Sequence, residues 1–474
     1  MRLLIAGGGG FRVPLVYRAL TSGPFAGLVR ELVLYDVDGR RLAAIEAVLA
    51  SLAGQSAAGG HRLPAVRATS SLTAALVGTD MVFAAIRPGG TAGRTADERI
   101  ALDLGLLGQE TTGAGGISYA LRSIPRMLEL AAAMRRLCPE AWLLNFTNPA
   151  GMVTEALVPV LGSKVIGICD SAGGLVHHAA TAAGVVLPEG RLDGVGYYGL
   201  NHLGWLYRLE SGGRDVLPEL LADAAALAGF EEGRLFPPEL LADLGCLPNE
   251  YLYYYYETAR AVAGIRSSAR TRGESIDRQQ SALYPRLAAA GPEAYPLWEA
   301  ARRSREEGYL AEARPAGERR DETDLAGGGY ERVALAAMRA LSGGGEAQLI
   351  LNTPNAVRGA GAGTSGAGAA AVAVPGIPAD AVVEVPCRVT PDGVAPLRQD
   401  RPAPAQLALM QRVKDVDRLV VQACGNGRRE AALAAFARHP LVNSEALAAK
   451  LLARYEGAFP ELQPLWHGGA RNRR

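Results

Sequence analysis

The chain has few cysteines and no excess of either charge. Lysine and arginine number 49 and aspartate and glutamate 48, so no overall field attracts nucleic acid or an anionic membrane. An odd and sparse set of cysteines argues against a disulfide framework and favours a reducing compartment. The five are Cys138, Cys169, Cys246, Cys387 and Cys424.

Long apolar runs are also missing. No apolar stretch of the sequence is long enough to span a membrane. The N-terminus enters a glycine cluster at Gly7, which leaves no apolar run of the length of a signal peptide. We therefore expect a cytoplasmic protein with neither a membrane nor a nucleic acid as partner. At 474 residues and 49% hydrophobic content, the chain is long enough for two or three domains with a sizeable core.

The first 170 residues alternate short apolar runs with helical patterns, which is typical of a parallel sheet covered on both faces. Beyond about residue 195 the alternation weakens, and a long, mostly helical region runs to Arg314. A segment rich in glycine and alanine, 355–376, predicts a flexible loop. The predicted strands are 3–6, 31–36, 81–85, 142–145, 164–169, 196–199, 205–209 and 381–386, and the predicted helices include 13–22, 40–52 and 117–137.

A glycine turn follows the first predicted strand. After Ala6 come Gly7, Gly8, Gly9 and Gly10, and then a helix, an order that lets backbone amides approach a pyrophosphate. Arg12 occupies the third position of G-x-G-x-x-G, so a tight turn without a nucleotide is the alternative. Asp36 closes the second strand, where a carboxylate binds ribose hydroxyls and repels the 2′-phosphate of NADP. The segment thus predicts an NAD-binding domain.

A thiol and an imidazole are the candidate metal ligands. Cys169 ends a predicted strand, and ligands bind at the carboxyl ends of strands in open α/β sheets. His202 follows in Tyr197-Tyr-Gly-Leu-Asn-His-Leu203. From spacing alone, coincidence is the alternative. No third protein ligand is evident in the sequence, so water or substrate oxygens would complete the shell, as in a catalytic metal site.

The chain resembles glycoside hydrolase family 4, a group of NAD- and metal-dependent glycosidases. Among its members it is most similar to the 6-phospho-β-glucosidases. The resemblance implies a Rossmann-like, doubly wound parallel sheet over 1–195, as in lactate and malate dehydrogenases, and an α+β domain over 196–474 for substrate, metal and oligomerisation. The segments that carry it are Gly7–Gly10, Arg87–Gly90, Gly108–Gly116, Asn145–Gly151, Gly167–Cys169, Tyr198–Leu203, Pro248–Tyr251, Gly327–Glu331, Val383–Cys387 and His439–Leu441.

This resemblance also implies a mechanism. NAD oxidises carbon 3 of the sugar, a base removes the proton from carbon 2, the aglycone leaves and water adds, with a divalent metal, Mn²⁺, held by Cys169 and His202. The implied base is Tyr330, with Glu331 as the alternative by one position. Asp170 is the candidate acid for the leaving group, and a helix N-cap is its alternative role.

Further residues have roles implied by the resemblance. We expect Asn148, Glu110 and Asn201 to contact a phosphorylated glycoside, with pinning of its loop as the alternative for Glu110. Arg87 is expected to pair with the cofactor or with the substrate phosphate. A salt bridge that braces a loop is the alternative for Arg87. The implied assembly is a homodimer or homotetramer.

Two departures from the family pattern leave the substrate open. The pair Cys169-Asp170 resembles the 6-phospho-α-glucosidases, and Asn352-Thr-Pro-Asn-Ala356 lacks the arginine usual at that place. A 6-phospho-α-glucosidase is therefore one alternative. An NAD-dependent 2-hydroxy acid dehydrogenase is another, although the Cys169 and His202 pair would then be unexplained. A non-catalytic sensor that retains NAD and sugar binding is the third.

Overall fold

Six parallel strands form one half of a long sheet in the computed structural model, which describes residues 1–56, 63–314, 320, 329–357 and 371–467. Within this half the order is β6-β5-β4-β1-β2-β3, and every neighbouring pair is parallel. This is the strand order of a dinucleotide-binding fold. The six strands are β1 (Arg2–Ala6), β2 (Glu31–Tyr35), β3 (Ala65–Thr69), β4 (Met81–Ala84), β5 (Trp142–Asn145) and β6 (Val165–Gly167).

The remaining strands continue the same sheet in antiparallel pairing. They extend it from β6 in the order β11-β12-β7-β8-β10, with β13 beside β12 and β9 beside β8. The predicted class, a Rossmann-like sheet with a C-terminal α+β part, is confirmed, whereas the boundary at residue 195 stays a prediction. These strands are β7 (Val195–Leu200), β8 (Leu203–Ser211), β9 (Arg214–Asp215), β10 (Leu247–Pro248), β11 (Ala347–Pro354), β12 (Val382–Thr390) and β13 (Gly393–Pro396).

Helices of the first segment, residues 1–195, cover the parallel half of the sheet. Helix α5 shows why: its apolar side chains are buried against the sheet for most of its length, although Pro125 lies inside it. The helices of this segment are α1 (Val13–Thr21), α2 (Gly39–Ser56), α3 (Leu72–Leu76), α4 (Gly90–Asp103), α5 (Gly113–Leu137), α6 (Ala150–Leu161) and α7 (Ser171–Ala182).

The second segment, residues 196–474, is mostly helical in its described part. Among the described residues, no helix is both long enough and apolar enough to cross a bilayer. In the described ranges of both segments, five short 3₁₀ turns lie between longer elements, at Gly23–Phe25, Gly162–Lys164, Glu250–Leu252, Gly291–Glu293 and Ala311–Ala313. The helices are α8 (Leu217–Ala222), α9 (Ala224–Ala228), α10 (Glu231–Leu235), α11 (Pro238–Leu244), α12 (Tyr253–Tyr256), α13 (Thr258–Ser267), α14 (Arg272–Ala289), α15 (Ala294–Glu307), α16 (Tyr330–Leu341), α17 (Pro404–Asn426), α18 (Arg429–Arg438), α19 (Glu445–Ala458) and α20 (Leu462–His467).

Two of these helices pack against the nucleotide-binding half. Helix α14 begins with a capping box, in which Thr271 and Glu274 each bond the other's backbone amide. Farther along it, Tyr284 donates a hydrogen bond to the carbonyl oxygen of Gly9, at 2.8 Å. On α15, the Trp298 indole donates to the carbonyl oxygen of Phe11, at 2.8 Å. The second segment therefore covers the glycine turn directly.

A buried ion pair joins α4 to α5. Arg122 donates to both carboxylate oxygens of Asp97, at 2.9 and 2.7 Å, and its guanidinium carbon lies 3.7 Å from the centre of the Phe459 ring. We expect Arg122→Leu to destabilise the protein by about 3–5 kcal/mol, because it leaves a buried carboxylate without a cation. Arg126→Leu in the same helix removes an exposed pair with Glu129, which should cost at most about 1 kcal/mol. Urea unfolding measures both, and equal effects would contradict the prediction.

Candidate functional site

The glycine turn is held tightly between two strands. Gly7 has φ +93°, and a Cβ atom there would lie 2.5 Å from the carbonyl oxygen of Ala85. At Gly8 a Cβ would lie 2.7 Å from that of Leu34. The amides of Gly7 and Gly8 donate to the Tyr35 carbonyl oxygen, at 2.9 and 2.7 Å, and that of Gly10 donates to Gly7. These glycines are needed for close packing, and their contact with a pyrophosphate stays a prediction.

Asp36 lies beside this turn. One carboxylate oxygen accepts the amide of Gly9 and the other that of Asp38, each at 3.0 Å. Because each carboxylate oxygen has two lone pairs, both oxygens can still accept a ribose hydroxyl. The position at the end of β2 and the remaining acceptor capacity fit the adenosine side of NAD.

Cys169 and His202 follow β6 and β7, two strands that belong to the two halves of the sheet and have β11 and β12 between them. Cys169 follows β6 and is buried, with its sulfur 3.2 Å from the Ser171 hydroxyl. His202 lies in the tight turn from β7 to β8 with φ +63°, a left-handed conformation that is uncommon outside glycine and often marks a functional position. Its ring stacks on that of Tyr251, with the centroids 3.7 Å apart and the planes 6° apart.

The chemistry of these two groups fits a divalent transition metal. Burial lowers the pKa of His202 to about 3, so its imidazole is neutral, as a metal ligand must be. Its Nδ1 atom is buried without a hydrogen-bond partner in the described part of the chain. Burial, together with Glu384 and Asp170, raises the pKa of the Cys169 thiol, which only a strong positive charge would reverse.

No group of three metal-ligating side chains exists among the described residues. The role of Cys169 and His202 as metal ligands stays a prediction.

Glu110 belongs to a buried cluster of arginines. Its carboxylate lies 2.7 Å from Arg87 and 2.6 Å from Arg94. Burial alone would raise the pKa of Glu110, but these two cations, with Arg305 and Arg272, lower it to about 2. Arg87 thus already has an acidic partner, as the loop-bracing alternative requires, and its cofactor contact stays a prediction.

Asp170 is the first of the predicted catalytic residues. It stands at the N-cap of α7 but makes no side-chain capping bond. Its carboxylate lies 3.6 Å from Arg12 instead. The alternative role of Asp170 as a capping side chain is therefore wrong. Its role as the acid for the leaving group stays a prediction.

Tyr330, the predicted base, is part of an aromatic stack. Its ring lies 4.3 Å from Phe146 and 5.8 Å from Phe83, and its hydroxyl donates to the Arg12 carbonyl oxygen at 2.7 Å. Burial raises its pKa well above the ordinary value. Glu331, the alternative, has a buried carboxylate oxygen without a partner in the described residues.

Tyr251 was not predicted from the sequence to be a site residue. It stacks on His202, and the Cys169 sulfur is near enough to raise its pKa, after burial and Glu250. From the sequence alone, the tyrosine run that contains it, Tyr251–Tyr256, is interpreted as aromatic packing in a core or subunit interface, with a sugar-stacking platform as the alternative. The signal that could have identified it is its place at the end of Pro248-Asn-Glu-Tyr251, one of the segments that carry the family resemblance.

The predicted asparagines have different surroundings. Asn201 accepts the amide of Ala150 at 3.0 Å and donates to Glu384 at 3.3 Å, so it braces the turn that carries His202. Asn148 has a buried amide oxygen without a partner among the described residues, and it can receive a sugar hydroxyl. Their substrate contacts stay predictions.

Glu384 was not foreseen as part of the site. It is buried on β12 and accepts hydrogen bonds from Asn352 at 2.9 Å, from Tyr197 at 3.0 Å and from Asn201. Burial raises its pKa to about 7. Its signal was Val383-Glu-Val-Pro-Cys387, where a lone acid stands within a strand of buried residues.

A large cavity opens beside Tyr251. Its volume is about 770 Å³, within the range of small-molecule pockets. It is lined by Glu110, Tyr251 and residues of the helices α14 and α15. Its charged lining residues are Arg94, Glu98, Glu110, Arg270, Arg272, Arg278, Arg286, Arg305 and Glu312.

Two family models match the chain. The model described as "Family 4 glycosyl hydrolase" matches residues 4–185, and the one described as "Family 4 glycosyl hydrolase C-terminal domain" matches residues 197–442.

Curated relatives carry both anomeric names. A probable 6-phospho-β-glucosidase of Bacillus subtilis is 29% identical over 95% of this chain and 95% of its own length. The 6-phospho-α-glucosidase 1 of Lacticaseibacillus paracasei is 35% identical, but the match spans 53% of this chain and 59% of that protein.

Among solved structures, the 6-phospho-β-glucosidase of Thermotoga maritima is similar over nearly its whole length. It superposes with a TM-score of 0.77 at 26% identity, covering 98% of this chain and 99% of that one. That protein was crystallised with manganese, NAD⁺ and glucose-6-phosphate.

Proposed function

Because the chain belongs to family 4 of the glycosyl hydrolases, we propose that it hydrolyses 6-phospho-β-glucosides with NAD and Mn²⁺ as cofactors. One observation carries the proposal. The tyrosine that stacks on the candidate metal ligand His202 lines a cavity whose wall also holds Arg272 and Arg305, two arginines with no carboxylate at ion-pair distance among the described residues. A sugar that bears a phosphate matches both features.

These two arginines supply the argument for the phosphate. Among the described residues, no carboxylate lies within ion-pair distance of either guanidinium. The Nε of Arg305 is buried without a partner in that part of the chain. Arg272 donates to the backbone carbonyl oxygen of Arg305 at 3.3 Å, and after burial and Arg12 its charge is among the causes that lower the pKa of Arg305.

The two guanidinium groups are also held in place. Arg272 lies 5.1 Å from the ring centre of Tyr309, and Arg305 lies 5.1 Å from that of Phe11. Burial and the neighbouring arginines lower the pKa of Arg305 well below its ordinary value. Two confined cations that repel each other favour a doubly charged anion, and guanidinium suits phosphate.

Different residues of the site have different roles in the proposed reaction. NAD, when bound, accepts and returns the hydride of carbon 3, and the metal acts as a Lewis acid. We assign the removal of the carbon-2 proton to Tyr251 instead of Tyr330, because Tyr251 contacts His202 whereas the Tyr330 hydroxyl is bonded to the backbone at Arg12. Asp170 donates a proton to the leaving oxygen, and Asn148 orients a sugar hydroxyl.

Two candidates differ in the anomer of the substrate. The Bacillus subtilis relative, similar over 95% of this chain, and the Thermotoga maritima structure support the β-linkage. The pair Cys169-Asp170 favours the second candidate, a 6-phospho-α-glucosidase. Hydrolysis of p-nitrophenyl 6-phospho-β-glucoside, with NAD, Mn²⁺ and reductant present, tests the proposal beside the α-linked and the unphosphorylated analogues. Cleavage of the unphosphorylated analogue alone would overturn it.

Replacing Arg305 should damage recognition of the phosphate. We expect Arg305→Gln to raise KM for the phosphorylated glycoside about 100-fold, or about 2.8 kcal/mol, because a buried charge pair is lost. Steady-state kinetics on the phosphorylated substrate measure the change. Arg278→Gln is the matched control, since Arg278 lines the same cavity but is exposed, and its KM should change less than about fivefold. Equal KM values for the two variants would rule out Arg305 as the phosphate partner.

A further inference from the structure

A second, much smaller cavity lies beside His202. Its volume is about 40 Å³, and neither Cys169 nor Tyr251 lines it. Thr112, on the loop that follows Glu110, forms part of its wall, and α17 contributes Lys414 and Asp417.

Two buried polar atoms without partners belong to residues that line this cavity. They are Nδ1 of His202 and the hydroxyl oxygen of Thr112, and neither has a hydrogen-bond partner in the described ranges. Thr112 is the N-cap residue of α5 but makes no side-chain capping bond, although threonine at an N-cap ordinarily accepts a bond from the helix. Its hydroxyl is thus available for another partner.

The cavity has the size and polarity for water. A buried water needs roughly 10–15 Å³ of such volume and two to four polar partners. Asp417 supplies a strong acceptor, and its carboxylate is fixed by Lys414 at 3.0 Å, which also binds Glu155 at 2.8 Å. Polar cavities of this kind are filled, whereas apolar ones stay dry.

We propose that buried water in this cavity links His202 Nδ1 to the Thr112 hydroxyl and to Asp417. Nδ1 donates its proton to the water, so the lone pair of Nε2 is left for the metal. Thr112 is then a positioning residue that acts through water on the orientation of the imidazole. Partners of this kind commonly change metal affinity by about 10- to 100-fold. The inference rests on the proposed role of His202 as a metal ligand.

The test compares Thr112→Val, which keeps the shape but removes the hydroxyl, with Thr112→Ser, which keeps the hydroxyl. Mn²⁺ affinity of the metal-free protein is measured by EPR titration. We expect Thr112→Val to weaken it at least about 10-fold and Thr112→Ser to stay within about threefold of the wild type. NAD affinity and melting temperature verify that both variants are folded. Wild-type Mn²⁺ affinity in Thr112→Val would overturn the inference.

A second readout separates this inference from the proposed function. In the metal-free protein, ¹⁵N chemical shifts of His202 report which ring nitrogen carries the proton. We expect the Nδ1–H form in the wild type and in Thr112→Ser, and a mixture of both forms in Thr112→Val. If the wild type does not bind Mn²⁺, the proposed function falls, and these shifts still decide the network. Identical shifts in all three proteins would refute the network itself.

Discussion

Cys169→Ser is expected to lower turnover by about 10³-fold and to remove tight Mn²⁺ binding. A Lewis acid supplies several kcal/mol of charge stabilisation in the transition state, and each 1.36 kcal/mol is a factor of ten in rate. The serine hydroxyl is a much poorer ligand for the metal than a thiolate. The side chain follows β6 in a buried position, so the substitution changes one atom without altering the fold. Turnover on the phosphorylated substrate and EPR titration of Mn²⁺ measure the two effects.

The control for Cys169 is a second cysteine in the same chain. Cys424 lies on α17, more than 200 residues after the strand β6 that precedes Cys169, and is partly exposed. We therefore expect Cys424→Ser to retain both turnover and Mn²⁺ affinity. Because a proton competes with the metal for the thiolate, Mn²⁺ affinity of the wild type should fall as the pH falls. Undiminished Mn²⁺ affinity in Cys169→Ser would exclude Cys169 as a ligand.

The parallel half of the sheet was predictable because its strands are buried on both faces. Trp142–Asn145, for example, is a short run of buried residues between turns, and its bounds were predicted to the residue. Strand β3 was missed because its residues Ala65–Thr69 are exposed or partly exposed at the sheet edge, which removes the apolar signal. Strand β11 was missed because its apolar residues are mixed with polar ones, Gln348 and Asn352 among them, that are bonded to distant parts of the chain.

Site residues were predictable from the sequence only where a short local motif contains them. The glycine turn follows β1 and Asp36 follows β2. Because these neighbouring strands are parallel, their carboxyl ends bring the turn and the carboxylate together. Tyr251 reaches His202 only because β10 pairs with β8, a long-range contact that no local pattern records. The same holds for Arg272 and Arg305, because only the three-dimensional structure shows that no carboxylate of the described residues lies at ion-pair distance from them.

The second large effect is expected from replacing the catalytic base, for which Tyr251 and Tyr330 are the two candidates. Tyr251→Phe should lower kcat by about 10²- to 10⁴-fold, the usual contribution of a general base, because only the hydroxyl is lost. The ring that stacks on His202 remains, so Mn²⁺ affinity should be unchanged. Turnover in D₂O, followed by NMR of the product, measures deuterium incorporation at carbon 2, which should become undetectable with the variant.

Tyr330→Phe is the matched control, with the same chemical change at a residue in a different environment. It removes one hydrogen bond to the Arg12 carbonyl oxygen, worth about 1 kcal/mol of stability, while the ring keeps its stacking on Phe146. We expect a slightly lower melting temperature and a kcat close to that of the wild type. Glu331→Gln tests the remaining alternative in the same assay. If Tyr330→Phe alone abolishes exchange at carbon 2, then the base is Tyr330, and the contact between Tyr251 and His202 serves only to hold the imidazole.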